Sequence, residues 1–460
     1  MDRAIALAVS FLALLISVQQ GMLILYPLLG VLVLMTGVYR RRGVPLRQIW
    51  ALMKRGMCQA AGVIRILLLI GLVVASWLMA GTVPALVYYG LQLIQPQWFV
   101  VSAFLLTGLV SVLLGTSFGS AGTIGLALMI MARGAGVDEH WAAGAIISGA
   151  YIGDRCSPMS SSAHLVATLT RTDIYQNLRR MLATGWGALI LSIGIYTIAS
   201  LSHPLSGLNN PLMAQIPDYF SVHPITLLPA AILVALTLLR VPVQRTLAIS
   251  LASAIALALG LQAQPPWLVV QTLFMGLQLP SPNPLSDIFQ GGGLLAMGRV
   301  CAIVSVSTAL AGLLSGMGTF TPLSQMLSRW SGRRGLFGSM VVTGGLTSAF
   351  GCTQTIAILL TQQIALPLYH SANAHPEQLA VDIENSAVVL APLVPWNIAG
   401  LVPATVLLTD PGWIPYGVYL YLLPLLNWLL RGPTQQRLID PPIALGSTAL
   451  RRDGSPAAAG

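Results

Sequence analysis

Two carboxylates stand in stretches where acidic side chains are otherwise scarce. Asp154 lies in Gly153-Asp154-Arg155-Cys156-Ser157-Pro158, with Ser160, Ser161 and Ser162 just beyond. Glu384 lies in Glu384-Asn385-Ser386, about two helical turns ahead of Pro392-Leu393-Val394-Pro395-Trp396-Asn397. An ionisable group among apolar residues is costly unless partnered, so it marks a pathway or a binding site by default. Such a carboxylate binds a cation or a proton, and a neighbouring charge tunes it. For Asp154 the competing reading is a structural pair with Arg155 that pins the chain. A third acid, Asp382, stands close to Asn373, His375 and Glu377 and is expected to be solvated.

Oxygen ligands cluster near both acids. Ser157, Ser160, Ser161 and Ser162 surround Pro158, and Thr116, Ser117, Ser120 and Thr123 crowd the stretch 115–123. Farther along stand Thr353, Gln354 and Thr355, and then Asn397 behind Pro395-Trp396. Unwound carbonyls, hydroxyls and amides suit a hard cation such as Na+, which places Na+ at Asp154, Ser157 and Ser160. Half-helix amino termini at the same places favour anions. The chemistry therefore fits a cation alone, or a small carboxylate or amino acid with a coupling cation, with Arg155 as the anion site. Serine also packs membrane helices. His164, behind the serine cluster, is a secondary pathway candidate, and it also fits a packing role. Gly291-Gly292-Gly293 follows no strand and carries no lysine, so it is no phosphate cradle. Nothing calls for a catalytic centre or a cofactor.

The elements that must position these groups are membrane helices. Only 8% of the 460 residues are charged and 55% are hydrophobic, against about 25% charged in a soluble domain. The net charge of +10 comes from sparse basic residues between apolar runs, which fits positive-inside bias and not a nucleic-acid face. Four scattered cysteines include no CxxC pair, so neither a disulfide framework nor zinc is expected. The lipid bilayer and monovalent cations are the expected partners, nucleic acid is not, and a small organic acid and a second copy of the chain stay open.

Apolar runs suited to spanning occur near 4–18, 22–39, 65–92, 181–200, 222–239, 246–262, 298–318 and 413–430. Four more are interrupted by small and polar residues: 99–133, 141–170, 336–370 and 379–408. Interrupted helices in corresponding places of two halves point to a transport site at the breaks. The expected fold is all-α: about ten transmembrane helices in two inverted repeats, 1–205 and 206–432. Each repeat holds a re-entrant hairpin (99–133, 336–370) and a broken helix (141–170, 379–408). Residues 433–460 are read as a disordered cytoplasmic tail, and 263–297 as an interfacial segment. With both termini cytoplasmic in a bacterial inner membrane, only Arg133 and Arg299 fall outside and Arg155 lies within a break.

The ordered motifs resemble the NhaC family of sodium/proton antiporters over roughly 60–410. Ala80-Gly81-Thr82-Val83-Pro84-Ala85-Leu86-Val87-Tyr88-Tyr89-Gly90 and Ser120-Ala121-Gly122-Thr123-Ile124-Gly125 are similar to family motifs, as is Ala143 through Ser160. Glu384-Asn385-Ser386 with Ala391 through Asn397 resembles the family's E-D-S and P-L-I-P-W-N elements. The resemblance implies a Na+/H+ antiporter whose ion pathway includes Asp154, Ser157, Ser160, Glu384 and Asn397. The family also holds exchangers of organic acids such as malate and lactate. The chain departs from the pattern at three places: Arg155 replaces a lysine, Asn385 an acid, and Ser161-Ser162-Ala163 an acid and two threonines.

Overall fold

Helix lets an apolar segment satisfy all its backbone groups internally, and helix is what this chain forms. The computed structural model describes residues 3–20, 22–93, 96–134, 136–202, 216–217, 219–239, 241–278, 291–318 and 333–430. Among them the only extended pairing is one isolated bridge, Leu277 to Gly291. Helices Ala61–Met79, Ile174–Ser202, Val243–Gly260 and Leu294–Gly316 are each long and apolar enough to cross a bilayer. The bent pair Pro376–Leu393 and Ile398–Val406, at 54°, is long enough for a fifth crossing. Shorter apolar helices fill the space between, among them Phe99–Leu114 and Val418–Leu429.

The apolar run 65–92 is not one rod. It divides into Ala61–Met79 and Thr82–Leu93 at Ala80-Gly81, where Gly81 has φ +73°. Much of the basic stretch 40–65 becomes a helix, Leu46–Gln59, which packs on Leu294–Gly316. Within 263–297 there is a short helix, Pro266–Met275, and Gly293 ties back to Gly71 by a 2.7 Å backbone hydrogen bond. The tail 433–460 lies outside the described residues, as do Arg240, Arg329, Arg431, Arg437, Arg451 and Arg452 of the orientation argument.

All four interrupted stretches break, but more tightly than their composition suggests. In the first hairpin, Phe99–Leu114 stops at Gly115-Thr116, and helix resumes at Ser117. Thr123 and Ser120 therefore lie inside helix, where hydroxyls bond to main-chain carbonyls one turn back, Ser120 to Thr116 at 2.8 Å; such bonding lets them sit in a helix. The second hairpin joins Arg333–Gly351 to Gln354–Ser371 through Cys352-Thr353 alone. The first broken helix, Glu139–Cys156, restarts at Ser161 and runs to Thr170. The second comprises Pro376–Ile383, a π-helical turn Glu384–Val388 and a 3-10 turn Ala391–Leu393, then restarts at Ile398.

A capping side chain restarts the helix after each break. Thr116 accepts from the Gly119 amide at 3.4 Å and Thr353 from the Ile356 amide at 3.2 Å. Ser160 accepts from the Ala163 amide at 3.2 Å and Asn397 from the Ala399 amide at 2.9 Å. These oxygens satisfy helix-start amides that lack an intrahelical partner. The pattern recurs at one constant offset along the chain: Thr116 matches Thr353, Pro158 matches Pro395 and Ser160 matches Asn397. A hydroxyl also locks each hairpin to its broken helix across 39 residues, Ser111 to the Ala150 carbonyl and Ser348 to the Ala387 carbonyl.

Small residues set how closely the first pair approaches. A Cβ on Gly153 would overlap the Ser111 backbone, so only glycine lets the two helices touch there. Gly115 combines a φ of +67° with the backbone of Met159 and Ser160 against it, which brings the hairpin tip onto the break that follows Asp154.

Candidate functional site

Asp154 stands at the last turn before the first break and is buried. Its Oδ2 accepts a 2.8 Å hydrogen bond from Gln354 Nε2 at the second hairpin tip. Ser117, at the first hairpin tip, meets the same carboxylate with both its amide and its hydroxyl. Ser117 and Gln354 are themselves partners under the constant offset. Corresponding residues of both hairpin tips thus converge on one carboxylate, whose own counterpart is the neutral Ala391.

Ser160 and Ser162 serve the break from behind. Both hydroxyls donate to the main-chain carbonyl of Asp154, Ser162 at 2.7 Å, and they contact one another at 2.8 Å. The Ser157 hydroxyl accepts from the Met159 amide at 3.1 Å. These serines shape the backbone that holds Asp154, and Ser117 is the hydroxyl that meets its side chain.

Arg155 does not pair with Asp154, so the structural-pair reading gives way. Successive helical residues point about 100° apart, and the Arg155 guanidinium runs into a fully buried polar nest. Its Nε and one terminal nitrogen bond Asn385 Oδ1 at 2.9 and 2.5 Å. That terminal nitrogen also reaches the Met181 carbonyl at 2.7 Å and Thr184 at 3.1 Å. The other reaches Cys156 Sγ at 2.9 Å and the Tyr419 hydroxyl at 3.3 Å. Asn385 donates onward to Thr184 at 3.2 Å and Asn427 at 3.3 Å. Among the described residues no carboxylate comes within ion-pair distance of Arg155. Gly185 lies directly against the guanidinium and leaves it room.

Glu384 opens the π turn of the second broken helix, an irregularity frequent at functional sites. It is 0% exposed, and neither carboxylate oxygen has a hydrogen-bond partner. The charges acting on it are Arg155 and Asp154. A buried polar group without a partner is costly, so this carboxyl stands out from every other acid described.

The remaining candidates are placed as follows. Asn397 donates to the Ser348 carbonyl at 2.6 Å while its oxygen caps Ala399. Trp396 Nε1 donates to the Ala349 carbonyl at 2.6 Å. Both residues staple the second break to the second hairpin, and Pro392 and Pro395 lie in the irregular stretch beside them. Thr116 and Thr353 cap helices. Thr123 is buried within helix, while Thr355, Ser161 and Pro158 are exposed. His164 is exposed, with Nε2 2.9 Å from the Pro158 carbonyl. Asp382 is not solvated as expected. It is 0% exposed and accepts a 2.6 Å hydrogen bond from Tyr369, because the helix Gln354–Ser371 turns back over it. Sequence reasoning missed Thr184, Tyr419 and Asn427 in the Arg155 nest. Their signal was a polar side chain inside an otherwise apolar span, which packing also explains.

The staple gives a stability test. Asn397→Ala removes a helix cap and leaves the Ser348 carbonyl without its donor. The expected loss is about 1–3 kcal/mol, read as a lower melting temperature of the purified protein in detergent; an unchanged temperature would deny Asn397 the stapling role.

Residues 149–430 match the family described as the Na+/H+ antiporter family. The Na+/H+ antiporter NhaC of Alkalihalophilus pseudofirmus is 29% identical over 376 residues, covering 79% of this chain and 80% of the relative. The protein of the same name from Bacillus subtilis is 28% identical over 374 residues, 79% and 82% of the two chains. The malate-2H+/Na+-lactate antiporter of Bacillus subtilis is 25% identical over 358 residues, 76% of each chain.

Proposed function

The chain belongs to the Na+/H+ antiporter family, and from that premise we propose that Asp154 is the group through which it exchanges Na+ for H+. It is a multi-pass membrane protein and a secondary transporter of cations. The observation that carries the site assignment is the convergence of Ser117 and Gln354, one from each hairpin tip, on the Asp154 carboxylate. An ion held there touches both halves of the molecule, so rocking one half against the other exposes it to alternate sides.

In this reading 1–205 and 206–432 are two inverted repeats, matched by the constant offset of their caps and locks. Asp154 holds Na+ or H+ in turn, with the Ser117 hydroxyl and the Gln354 amide as neighbouring polar groups. Ser157, Ser160 and Asn397 shape the breaks around the ion, and Glu384 sets the charge beside it. Both termini face the cytoplasm of a bacterial inner membrane. A small carboxylate substrate would need a free cationic clamp, but every nitrogen of Arg155 already has protein partners.

Reconstituted vesicles test the activity. Pulses of Na+ or Li+ are expected to drive protons out of vesicles carrying a pH dye between about pH 6.5 and 9, the range bracketing His and α-amine titration. A labelled panel of malate, lactate and arginine is expected to show no Na+-driven uptake. Silence to both cations with uptake of an acid would reverse the assignment.

A further inference from the structure

The buried charges around the site are few enough to count. Asp154, Arg155 and Glu384 are its charged groups, with Arg155 and Asp154 acting on Glu384. Among the described residues, the partners that three neighbouring helices bring to them are neutral. Ile174–Ser202 contributes Thr184 and Gly185, Val418–Leu429 contributes Tyr419 and Asn427, and Gln354–Ser371 contributes Gln354. Tyr151 and Cys156 are weak acids, neutral at physiological pH when unperturbed. Asp382, two residues from Glu384, turns to Tyr369. Arg180 pairs outward with Glu377 at 3.8 Å, and His164 is exposed.

Arg155 cannot give up its proton, and its nest of neutral acceptors fixes it in place. Asn385, which accepts from it, carries no charge to cancel it. The guanidinium therefore offsets one of the two carboxylates permanently, and the unpartnered Glu384 is the one it faces outside hydrogen-bond reach. Carrying a net charge through a low-dielectric interior is strongly disfavoured.

We infer that Arg155 is a built-in cation that leaves the site with a fixed charge of −1. The site then reorients with one monovalent cation at a time, and exchange is one Na+ for one H+ with no net charge moved. The protonated site and the Na+-loaded site are both neutral. An empty site is negative, a doubly loaded one is positive, and neither crosses readily. The proton leaves the carboxylate pair to the aqueous side as Na+ enters, so the two ions exclude each other. The inference rests on the proposed function and adds its stoichiometry.

The test uses the full-length protein in vesicles with a clamped potassium diffusion potential. The pH gradient that just halts flux against a set Na+ gradient is expected to correspond to one H+ per Na+. An imposed potential of either sign is expected to change the rate by less than twofold. A null point at two H+ per Na+, or a rate rising severalfold with inside-negative potential, overturns the inference alone. Absence of any Na+-dependent proton flux removes the proposed function and the inference together.

A charge-deletion set adds a second readout. Arg155→Gln leaves the site at −2 and Glu384→Gln leaves it at zero, so each alone is expected to lose most exchange. The double variant returns the site to −1 and is expected to recover at least tenfold over Glu384→Gln. A double variant that folds, judged by a monodisperse elution profile, yet stays as inactive as the singles contradicts the charge-balance role. Should it not fold, the null point and potential dependence of the unmodified protein decide the matter.

Discussion

Asp154→Asn is expected to abolish Na+-driven proton movement, with a loss of at least about a hundredfold, equivalent to roughly 2.8 kcal/mol. The amide has nearly the shape of the carboxyl, and its oxygen still accepts from Gln354 Nε2, which now sits 2.8 Å from Asp154. The Ser160 and Ser162 hydroxyls donate to the main-chain carbonyl of residue 154, so they do not depend on the carboxylate. Folding and membrane insertion are therefore expected to survive, as checked by yield and melting temperature. What disappears is the one negative group that both hairpin tips address. Proton release on Na+ addition in vesicles measures the effect, and turnover at the unmodified rate would take Asp154 out of the mechanism.

Glu384→Gln is expected to separate stability from function. Both oxygens of Glu384 are buried without partners, and a buried group in that state costs about 1–3 kcal/mol or more when charged. A neutral amide of similar shape relieves the charge component of that cost, so the melting temperature is expected to rise. Exchange is expected to fall by about a hundredfold, because Asp154 and Arg155 then balance without an ion and the carrier moves empty. Thermal unfolding and vesicle flux on the same preparation check both parts. A variant that is less stable and fully active would show Glu384 to be a structural residue.

The sequence carried much of this arrangement. Interrupted stretches at 99–133, 141–170, 336–370 and 379–408 are where the helices break, because proline, glycine and capping residues act locally. Asp154 and Glu384 were legible because an acid in an apolar stretch is conspicuous, and both are buried. The extent of the breaks was less legible. Ser120 and Thr123 stand in the interrupted stretch 115–123, yet their hydroxyls bond back within the helix.

Long-range partnerships were the least legible part. Arg155 meets Asn385 across 230 residues and Asp154 meets Gln354 across 200, and no local pattern reports such distances. Asp382 read as solvated because polar residues follow the preceding turn, whereas a helix that folds back delivers Tyr369 to it. The neutral Asn385 read as a missing acid; in the fold it is the acceptor that holds Arg155 without cancelling its charge.

In the proposed mechanism Na+ and H+ compete for one site containing Asp154. Calorimetric titration of the purified protein with NaCl at a series of pH values, in two buffers of different ionisation enthalpy, measures that competition. The expected result is release of one proton per Na+ bound and an apparent dissociation constant that rises about tenfold per unit fall in pH below the site's titration, with both lost in Asp154→Asn. Na+ binding that releases no proton, or that persists unchanged in that variant, would rule out a shared site at Asp154.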